Sequence, residues 1–205
     1  ICVIPARGGS KRIKKKNIKN FQGKPIIYYP IKEALKSNIF DEIIVSTDDN
    51  EIEEIALKYG AKVPFKRPSN ISGDMSNTRE VILHSIQFNE LKNQIDFVCC
   101  LYPTAVSIKS FDLQKAFNLS KKQPLNIVLC AVEYSHPIER SFTLDQNGFT
   151  KLRFKDFANS RTQDLKQTFH DAGQFYFGSS LTWKNTENII NNALPYKLPS
   201  WRVID

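Results

Sequence analysis

The hydrophobic positions of this chain alternate between short continuous runs and longer stretches in which they recur every three to four residues. The first pattern is typical of buried strands and the second of amphipathic helices. Short runs predict strands at 1–4, 42–46, 61–65, 96–101 and 126–132. Periodic stretches predict helices at 25–37, 50–60, 79–91 and 109–120, with a kink or boundary at Pro30. This order predicts an α/β fold in which helices cover both faces of a mostly parallel sheet.

The alternation stops at 133–169, a segment rich in Arg, Lys, Phe and Asn. Within it, Asp145-Gln-Asn-Gly148 is typical of a hairpin turn. We therefore expect one domain, 1–205, with an inserted antiparallel arm at about 133–169. A further strand is predicted at 201–205, and we expect the natural chain to extend beyond both ends of this sequence.

Composition limits the class of protein. A chain of 205 residues with 41% hydrophobic residues is able to bury a core as one domain. No apolar run approaches the ~20 residues of a membrane helix, and no signal-peptide pattern opens the chain, so we expect no membrane partner. The four cysteines lie in apolar runs with neither zinc-site nor disulfide spacing. They predict reduced core cysteines in a cytoplasmic protein.

The positive charge is concentrated in one loop. The formal net charge is +8, and eight cations lie between positions 7 and 24 with no acid among them: Arg7, Lys11, Arg12, Lys14, Lys15, Lys16, Lys19 and Lys24. Glycine backbone and fixed cations after a strand suit a polyphosphate. An alternative is a basic RNA- or phospholipid-binding module. Phe21 is the only aromatic residue interleaved with these cations, which disfavours nucleic-acid stacking, so we expect no nucleic-acid partner.

Polar motifs follow several of the predicted strands at their carboxyl ends. They are the loop 7–17, Thr47-Asp48, Arg67-Pro68 and the segment 102–104. In open parallel sheets ligands bind at this edge, so these motifs predict one site. Asp48 and Asp49 are compatible with a metal pair, and helix capping explains them equally well.

The segment 5–17, Pro-Ala-Arg-Gly-Gly-Ser-Lys-Arg-Ile-Lys-Lys-Lys-Asn, resembles the N-terminal signature of the CMP-sialic acid synthetases, cytidylyltransferases that activate nine-carbon acidic sugars. Their pattern is roughly A-R-x-x-S-K-x-x-x-x-K-N, and the spacing agrees without a gap. The resemblance spans essentially the whole chain. It implies a three-layer, nucleotide-diphosphosugar-transferase-like (Rossmann-like) α/β fold with an antiparallel dimerisation arm, and transfer of CMP from CTP to a nonulosonic acid.

The resemblance also implies which residues bind CTP. They are Arg7, Ser10, Lys16, Asn17, Arg67 and Thr78. Arg7 and Lys16 would be catalytic, because cations stabilise the charge that builds on departing pyrophosphate. Asn17 would contact the cytosine or its ribose, and Arg67 would help to read the base. Asp74 lies in the matching polar loop.

The sugar-side motifs depart from the common pattern. The segment Leu-Tyr-Pro-Thr at 101–104 resembles L-Q-P-T, Arg-Thr-Gln-Asp at 161–164 resembles R-R-Q-D, and His-Asp-Ala-Gly-Gln-Phe-Tyr at 170–176 stands where the family has N-G-A-I-Y. The last variant resembles the subgroup acting on pseudaminic acid. The implied sugar residues are Tyr102, Thr104, Arg161, Gln163, Asp164, His170 and Asp171. For His170 a purely structural role stays open. The alternative sugars are legionaminic and N-acetylneuraminic acid.

The segment 201–205 resembles the strand that leads into the family's I-D-x-D motif, whose aspartates hold a divalent cation. Asp205 matches the first of them, which implies Mg²⁺ as the cofactor. The family also implies a homodimer joined through the arm and a role in surface-glycan or flagellin glycosylation.

Overall fold

The computed structural model describes residues 1–73, 76–91 and 93–203. Strands and helices alternate along most of this length. The five α-helices of the described residues are α1 (Tyr28–Ser37), α2 (Asn50–Lys58), α3 (Thr78–Glu90), α4 (Ser110–Lys122) and α5 (Ser180–Asn185). The strands are β1 (Cys2–Pro5), β2 (Asn20–Phe21), β3 (Lys24–Pro25), β4 (Ile43–Ser46), β5 (Phe97–Leu101), β6 (Val128–Glu133), β7 (Phe142–Leu144), β8 (Thr150–Leu152), β9 (Phe169–Ser179) and β10 (Leu194–Leu198).

Six strands form the central sheet in the order β10-β6-β9-β5-β1-β4. Strand β9 is antiparallel to both of its neighbours, β5 and β6, whereas the remaining pairs are parallel. The mostly parallel sheet predicted from the sequence is therefore confirmed. The carboxyl ends of β1, β4 and β5 meet at one edge, which is where the predicted motifs were expected to converge.

The sheet is buried on both faces. Alternate residues of β1 belong to different core clusters: Cys2 and Ile4 pack with α1, α2 and α4, and Val3 packs with α3 and α5. Trp183 of α5 is fully buried and its indole N–H donates to the Val98 carbonyl at 3.0 Å. Two helical layers thus enclose the sheet, as a βαβ order requires.

Three predicted elements were wrong in part. Helix α1 begins at Tyr28, because Pro25 pairs in the short β2–β3 ribbon; Pro30 then lies in the first helical turn, where its missing N–H costs no hydrogen bond. The predicted strand 61–65 is reduced to isolated bridges at Lys62 and Lys66. Residues Ser200–Arg202 form a 3₁₀ turn instead of the start of a strand, and 204–205 lie outside the described residues.

The predicted hairpin turn is confirmed within the arm. Strands β7 and β8 pair antiparallel, and Gly148 adopts the left-handed conformation at φ +84°. The Asp145 carboxylate accepts from the backbone N–H groups of Asn147 at 2.8 Å and Phe149 at 2.9 Å. The exact extent of the arm, 133–169, stays a prediction.

The four cysteines, Cys2, Cys99, Cys100 and Cys130, are free and buried in the core, as predicted. Among the described residues, none of the helices combines the length and the apolar character needed to cross a bilayer.

Candidate active site

The basic loop leaves the sheet at the end of β1 and closes in a 3₁₀ turn, Lys16–Ile18. Its start is fixed by the segment that follows β4: the Gly8 N–H donates to Asp48 Oδ1 at 2.9 Å. A Cβ on Gly8 would lie 2.5 Å from Asp49 Oδ2, so this close approach requires glycine. The loop is therefore held against the first turn of α2.

The far end of the loop is tied to its beginning by Asn17. This residue is 5% exposed, and its side-chain amide donates to the Arg7 carbonyl at 2.9 Å. Lys15 adopts the left-handed conformation at φ 51° and forms an ion pair with Glu51 of α2. Of the loop cations, Arg7 and Lys16 are the ones that line the adjacent cavity. The loop thus presents two of its many charges inward.

The residues predicted to bind CTP converge on one cavity of about 230 Å³ at the carboxyl edge of β1, β4 and β5. All six predicted nucleotide residues line it, together with two of the predicted sugar residues: Arg7, Ser10, Lys16, Asn17, Arg67, Thr78, Tyr102 and Thr104. We call this the cationic cavity. Asp74, whose loop supplies Gly73 and Ser76 to the wall, lies outside the described residues.

Arg67 is the buried charge of the cationic cavity. It is 6% exposed; its Nε donates to Ser46 Oγ at 3.1 Å, and its Nη2 donates to the Ser46 carbonyl. Burial lowers the pKa of Arg67 to about 10, with Asp48 opposing the shift and Arg7 adding to it. The guanidinium is therefore still charged near neutral pH and is fixed in place by the end of β4.

Tyr102 and Thr78 close the cationic cavity on its other side. The Tyr102 hydroxyl and Thr78 Oγ1 are hydrogen-bonded at 2.8 Å, and the Tyr102 ring packs edge-on against Tyr176 at 5.7 Å. The Tyr176 hydroxyl donates to Asp171 Oδ2. Burial raises the pKa of both tyrosines, so their hydroxyls stay neutral and able to donate.

A second cavity of about 350 Å³ lies behind this tyrosine pair. Asn77, Thr78 and Tyr102 line both cavities. The remaining residues that line the second cavity are Arg79, Asp171, Tyr176, Glu187, Asn188, Ile189 and Ile190. The predicted sugar residue Asp171 therefore lines the second cavity and not the cationic cavity, and Asn77, Thr78 and Tyr102 form the boundary between the two.

The structure does not bring the other predicted sugar residues to either cavity. Arg161 and Asp164 form an exposed ion pair with each other, Nε to Oδ2 at 2.8 Å. Gln163 lines a separate groove at the base of the arm. The His170 ring packs at a tilt against the Tyr134 ring with centroids 4.7 Å apart, and His170 Nδ1 lies 3.0 Å from the Asp171 carbonyl. This surrounding is compatible with the structural role left open for His170.

A model of the Cytidylyltransferase family matches residues 1–196. The chain belongs to this family. The resemblance seen in the loop 5–17 is thereby confirmed, and the chain is a nucleotidyltransferase. As a cytidylyltransferase it is 46% identical over 207 residues to the pseudaminic acid cytidylyltransferase of Campylobacter jejuni, which covers 100% of this chain and 89% of that protein.

The chain is also similar to cytidylyltransferases from other organisms and to a solved structure. A Helicobacter pylori protein named pseudaminic acid cytidylyltransferase and UDP-2,4-diacetamido-2,4,6-trideoxy-beta-L-altropyranose hydrolase is 37% identical, covering 100% of this chain and 40% of that protein. N-acylneuraminate cytidylyltransferase B of Danio rerio is 30% identical, covering 97% and 46%. The structure of CMP:2-keto-3-deoxy-manno-octonic acid synthetase complexed with CTP has the same fold, with a TM-score of 0.71, 17% identity and coverage of 98% and 90%.

The sequence analysis did not predict two residues that line these cavities, Asn77 and Tyr176. Asn77 caps α3 in a capping box with Glu80 and lines both cavities. Its signal, Asn-x-x-Glu before a periodic stretch, marks a helix start but not a cavity. Tyr176 lies in the motif 170–176, and its role was hidden because the irregular path of β9 was not foreseen.

The predicted metal residue Asp205 lies outside the described residues. Among the residues that are described, no group of three or more His, Cys, Asp or Glu side chains is arranged to hold a metal ion. Of the two aspartates after β4, Asp49 caps α2 by accepting from the Ile52 N–H at 3.0 Å, and Asp48 accepts from Gly8. Capping and loop anchoring thus account for both carboxylates.

Proposed function

We propose that this chain transfers CMP from CTP to the anomeric hydroxyl of a nonulosonic acid, pseudaminic acid, and releases pyrophosphate. The observation that carries the proposal is the convergence of all six predicted nucleotide residues on the cationic cavity. The identity of the sugar is supported by the name of the 46% identical relative and by the variant motif at 170–176.

In this reaction the anomeric oxygen attacks the α-phosphorus of CTP in line, and the bond to the pyrophosphate oxygen breaks. Negative charge builds on the leaving β- and γ-phosphates. Arg7 and Lys16 line the cavity from opposite ends of the loop, and Asn17 ties these ends together. The two cations are therefore already in position to stabilise the negative charge of the leaving pyrophosphate. Arg67, fixed by Ser46, supports base recognition from the floor of the cavity.

The proposal includes Mg²⁺, which would bind together with the triphosphate of CTP. The ion keeps most of its waters and usually takes one or two protein carboxylates plus phosphate oxygens, and it would neutralise phosphate charge when bound. Among the described residues, no cluster of three or more His, Cys, Asp or Glu side chains is arranged to hold a metal ion by itself. Asp205 is the proposed ligand.

We also propose a homodimer joined through the arm. Phe142 and Leu144 alternate along β7, and Leu152 pairs with Phe142 from β8, so the three side chains share one face of the hairpin. They are 55%, 64% and 42% exposed. Exposing these apolar side chains to water is unfavourable. The same face of the hairpin in a second copy of the chain would bury them in a symmetric interface.

The cytoplasm is the proposed location, because all four thiols are free and CTP is a cytoplasmic metabolite. The activated sugar would serve the glycosylation of flagellin or other surface structures.

The decisive experiment incubates the protein with CTP, Mg²⁺ and a panel of pseudaminic, legionaminic and N-acetylneuraminic acids while pyrophosphate is monitored. We expect release with pseudaminic acid and little with N-acetylneuraminic acid at equal concentration. Comparable rates would contradict the sugar assignment alone. Thermal stabilisation by a short RNA without any by CTP would contradict the enzyme assignment.

A further inference from the structure

The two neighbouring cavities differ in the charge of their walls. The cationic cavity carries Arg7, Lys16 and Arg67. The second cavity carries the carboxyl groups of Asp171 and Glu187. Anionic parts of a substrate are therefore favoured in the first cavity and repelled from the second.

Arg79 is the one cation among the described residues of the second cavity, and two of its five N–H donors are bound by backbone carbonyls of α5. Its Nε donates to the Trp183 carbonyl at 3.2 Å, and its Nη2 donates to the Lys184 carbonyl. These bonds attach α3 to α5. The carboxylates of Asp171 and Glu187 offer a ligand hydrogen-bond acceptors in this cavity, beside the apolar side chains of Ile189 and Ile190.

Asp171 is aimed by an irregularity in the central strand. Ala131 pairs with Asp171 and Leu129 pairs with Tyr176, so β9 advances five residues while β6 advances two. Within this bulge Gly173 adopts φ +57°, and its N–H donates to Asp171 Oδ1 at 2.8 Å. Bulges beside active sites re-aim side chains, and this one places a carboxylate on the cavity wall.

The Asp171 carboxylate retains acceptor capacity. Oδ1 accepts from Gly173 and Oδ2 accepts from Tyr176, which is one donor for each oxygen. A carboxylate has about four lone-pair sites, so each oxygen is able to accept a further hydrogen bond. The two existing bonds hold the group still, which lowers the entropic cost of using it to recognise a ligand.

We propose that the second cavity holds an acylamino arm of the sugar and that Asp171 accepts a hydrogen bond from the amide N–H of that arm. Ile189 and Ile190 contact the methyl groups nearby, and the sugar's own carboxylate stays on the side of the cationic cavity. The inference rests on the proposed function. Pseudaminic acid has a second acylamino group and a terminal methyl group where N-acetylneuraminic acid has hydroxyl groups, so this wall matches the former sugar.

The test compares Asp171→Ala with the unmodified enzyme, after its turnover of pseudaminic acid has been established. We expect KM for pseudaminic acid to rise about 10-fold or more, because a buried amide N–H loses its acceptor. KM for CTP should stay within about 2-fold, since Asp171 does not line the cationic cavity. Glu54→Ala, which removes an exposed carboxylate of α2 that lines neither cavity, is the matched control and should leave both constants unchanged.

Asp171→Asn guards against loss of the bulge, because its oxygen is still able to accept from Gly173. It should fold, as judged by circular dichroism, and its KM for the sugar should lie between those of the unmodified enzyme and Asp171→Ala, because one of the two acceptor oxygens remains. Unchanged KM for the sugar in a folded Asp171→Ala variant, or an equal rise of KM for sugar and CTP in either variant, would overturn the proposal. Failure of the unmodified enzyme to use pseudaminic acid would instead contradict the proposed function.

Discussion

Gly8 and Asp48 are joined by a hydrogen bond from the Gly8 N–H to Asp48 Oδ1, 2.9 Å long. This bond spans 40 positions of the sequence and fixes the basic loop to the segment after β4. The loop is therefore shaped before any ligand arrives, with Asp49 packed so closely that no side chain fits on Gly8.

Replacing Gly8 with Ala should raise KM for CTP by about 10-fold or more, because the new Cβ would meet both Oδ2 and Cβ of Asp49 and force the loop away from α2. Gly9→Ala is the matched control, since a Cβ at Gly9 meets nothing within 4 Å. Steady-state kinetics at varied CTP distinguish the two. Equal behaviour of the two variants would show that the loop tolerates displacement.

Lys16→Ala should lower kcat by at least ~10²-fold while the fold stays intact, because one preorganised cation at the leaving phosphates is lost. Lys14→Ala should be mild, since Lys14 does not line the cationic cavity. Measured rates of pyrophosphate release compare the two. Equal losses would mean that total loop charge matters and position does not.

Arg67→Met should weaken CTP binding by about 10-fold or more and leave the free energy of unfolding within about 1 kcal/mol of the unmodified protein. Burial lowers the pKa of Arg67, so the folded chain bears a cost for keeping it charged. The Ser46 carbonyl keeps the Ala6 N–H as a donor at 2.9 Å. Calorimetric CTP titration and urea unfolding test both parts; a stability loss of several kcal/mol would assign Arg67 a mainly structural role.

The double variant Phe142→Ser and Leu144→Ser should convert the proposed dimer to a monomer, because both side chains lie on the exposed face of the hairpin. The double variant Leu91→Ser and Leu125→Ser is the control, since these leucines are 84% and 77% exposed outside the arm. Light scattering at micromolar concentration gives the mass. A monomeric unmodified protein would refute the proposed dimer.

The thiols of the four cysteines should react with Ellman's reagent only after unfolding. Burial raises the pKa of the Cys99 and Cys100 thiols well above the usual range, and Cys2 and Cys130 are equally inaccessible. Thiols are counted at pH 8 with and without guanidinium. Rapid labelling of the native protein would indicate that the sheet opens readily.

The sequence predicted which residues converge on the cationic cavity, because most of them are close together in the chain. Arg7, Ser10, Lys16 and Asn17 belong to one loop, and Arg67 follows a motif at the end of the neighbouring strand. The second cavity, where we propose that the sugar binds, depends on β9, which lies between β5 and β6, follows a long insertion and contains a bulge. Periodicity carries no signal for such a register shift, so Asp171 was named from resemblance, whereas Tyr176 was missed.

The same physical limit explains the errors in the fold. The segment 61–65 has strand-like composition, yet it touches β4 through a single bridge at Lys62. The next bridge is at Lys66, so no continuous strand is added to this edge of the sheet. The predicted helix included Pro25, whereas Pro25 pairs with Asn20 in the β2–β3 ribbon. The turn of that ribbon contains Gly23 at φ +84°, and the hydrophobic pattern does not reveal it. In the first place strand-like composition did not lead to continuous pairing, and in the second a local hairpin replaced the first turn of the predicted helix.

The central position of β9 has a consequence for biosynthesis. The strand is translated only after the arm, so a nascent chain that ends before residue 169 presents β5 and β6 with open edges that have no native partner. Open edges recruit other strands, and slow-closing sheets are prone to aggregation. Synthesis therefore has to proceed through Ser179, the end of β9, before β5 and β6 gain their shared partner.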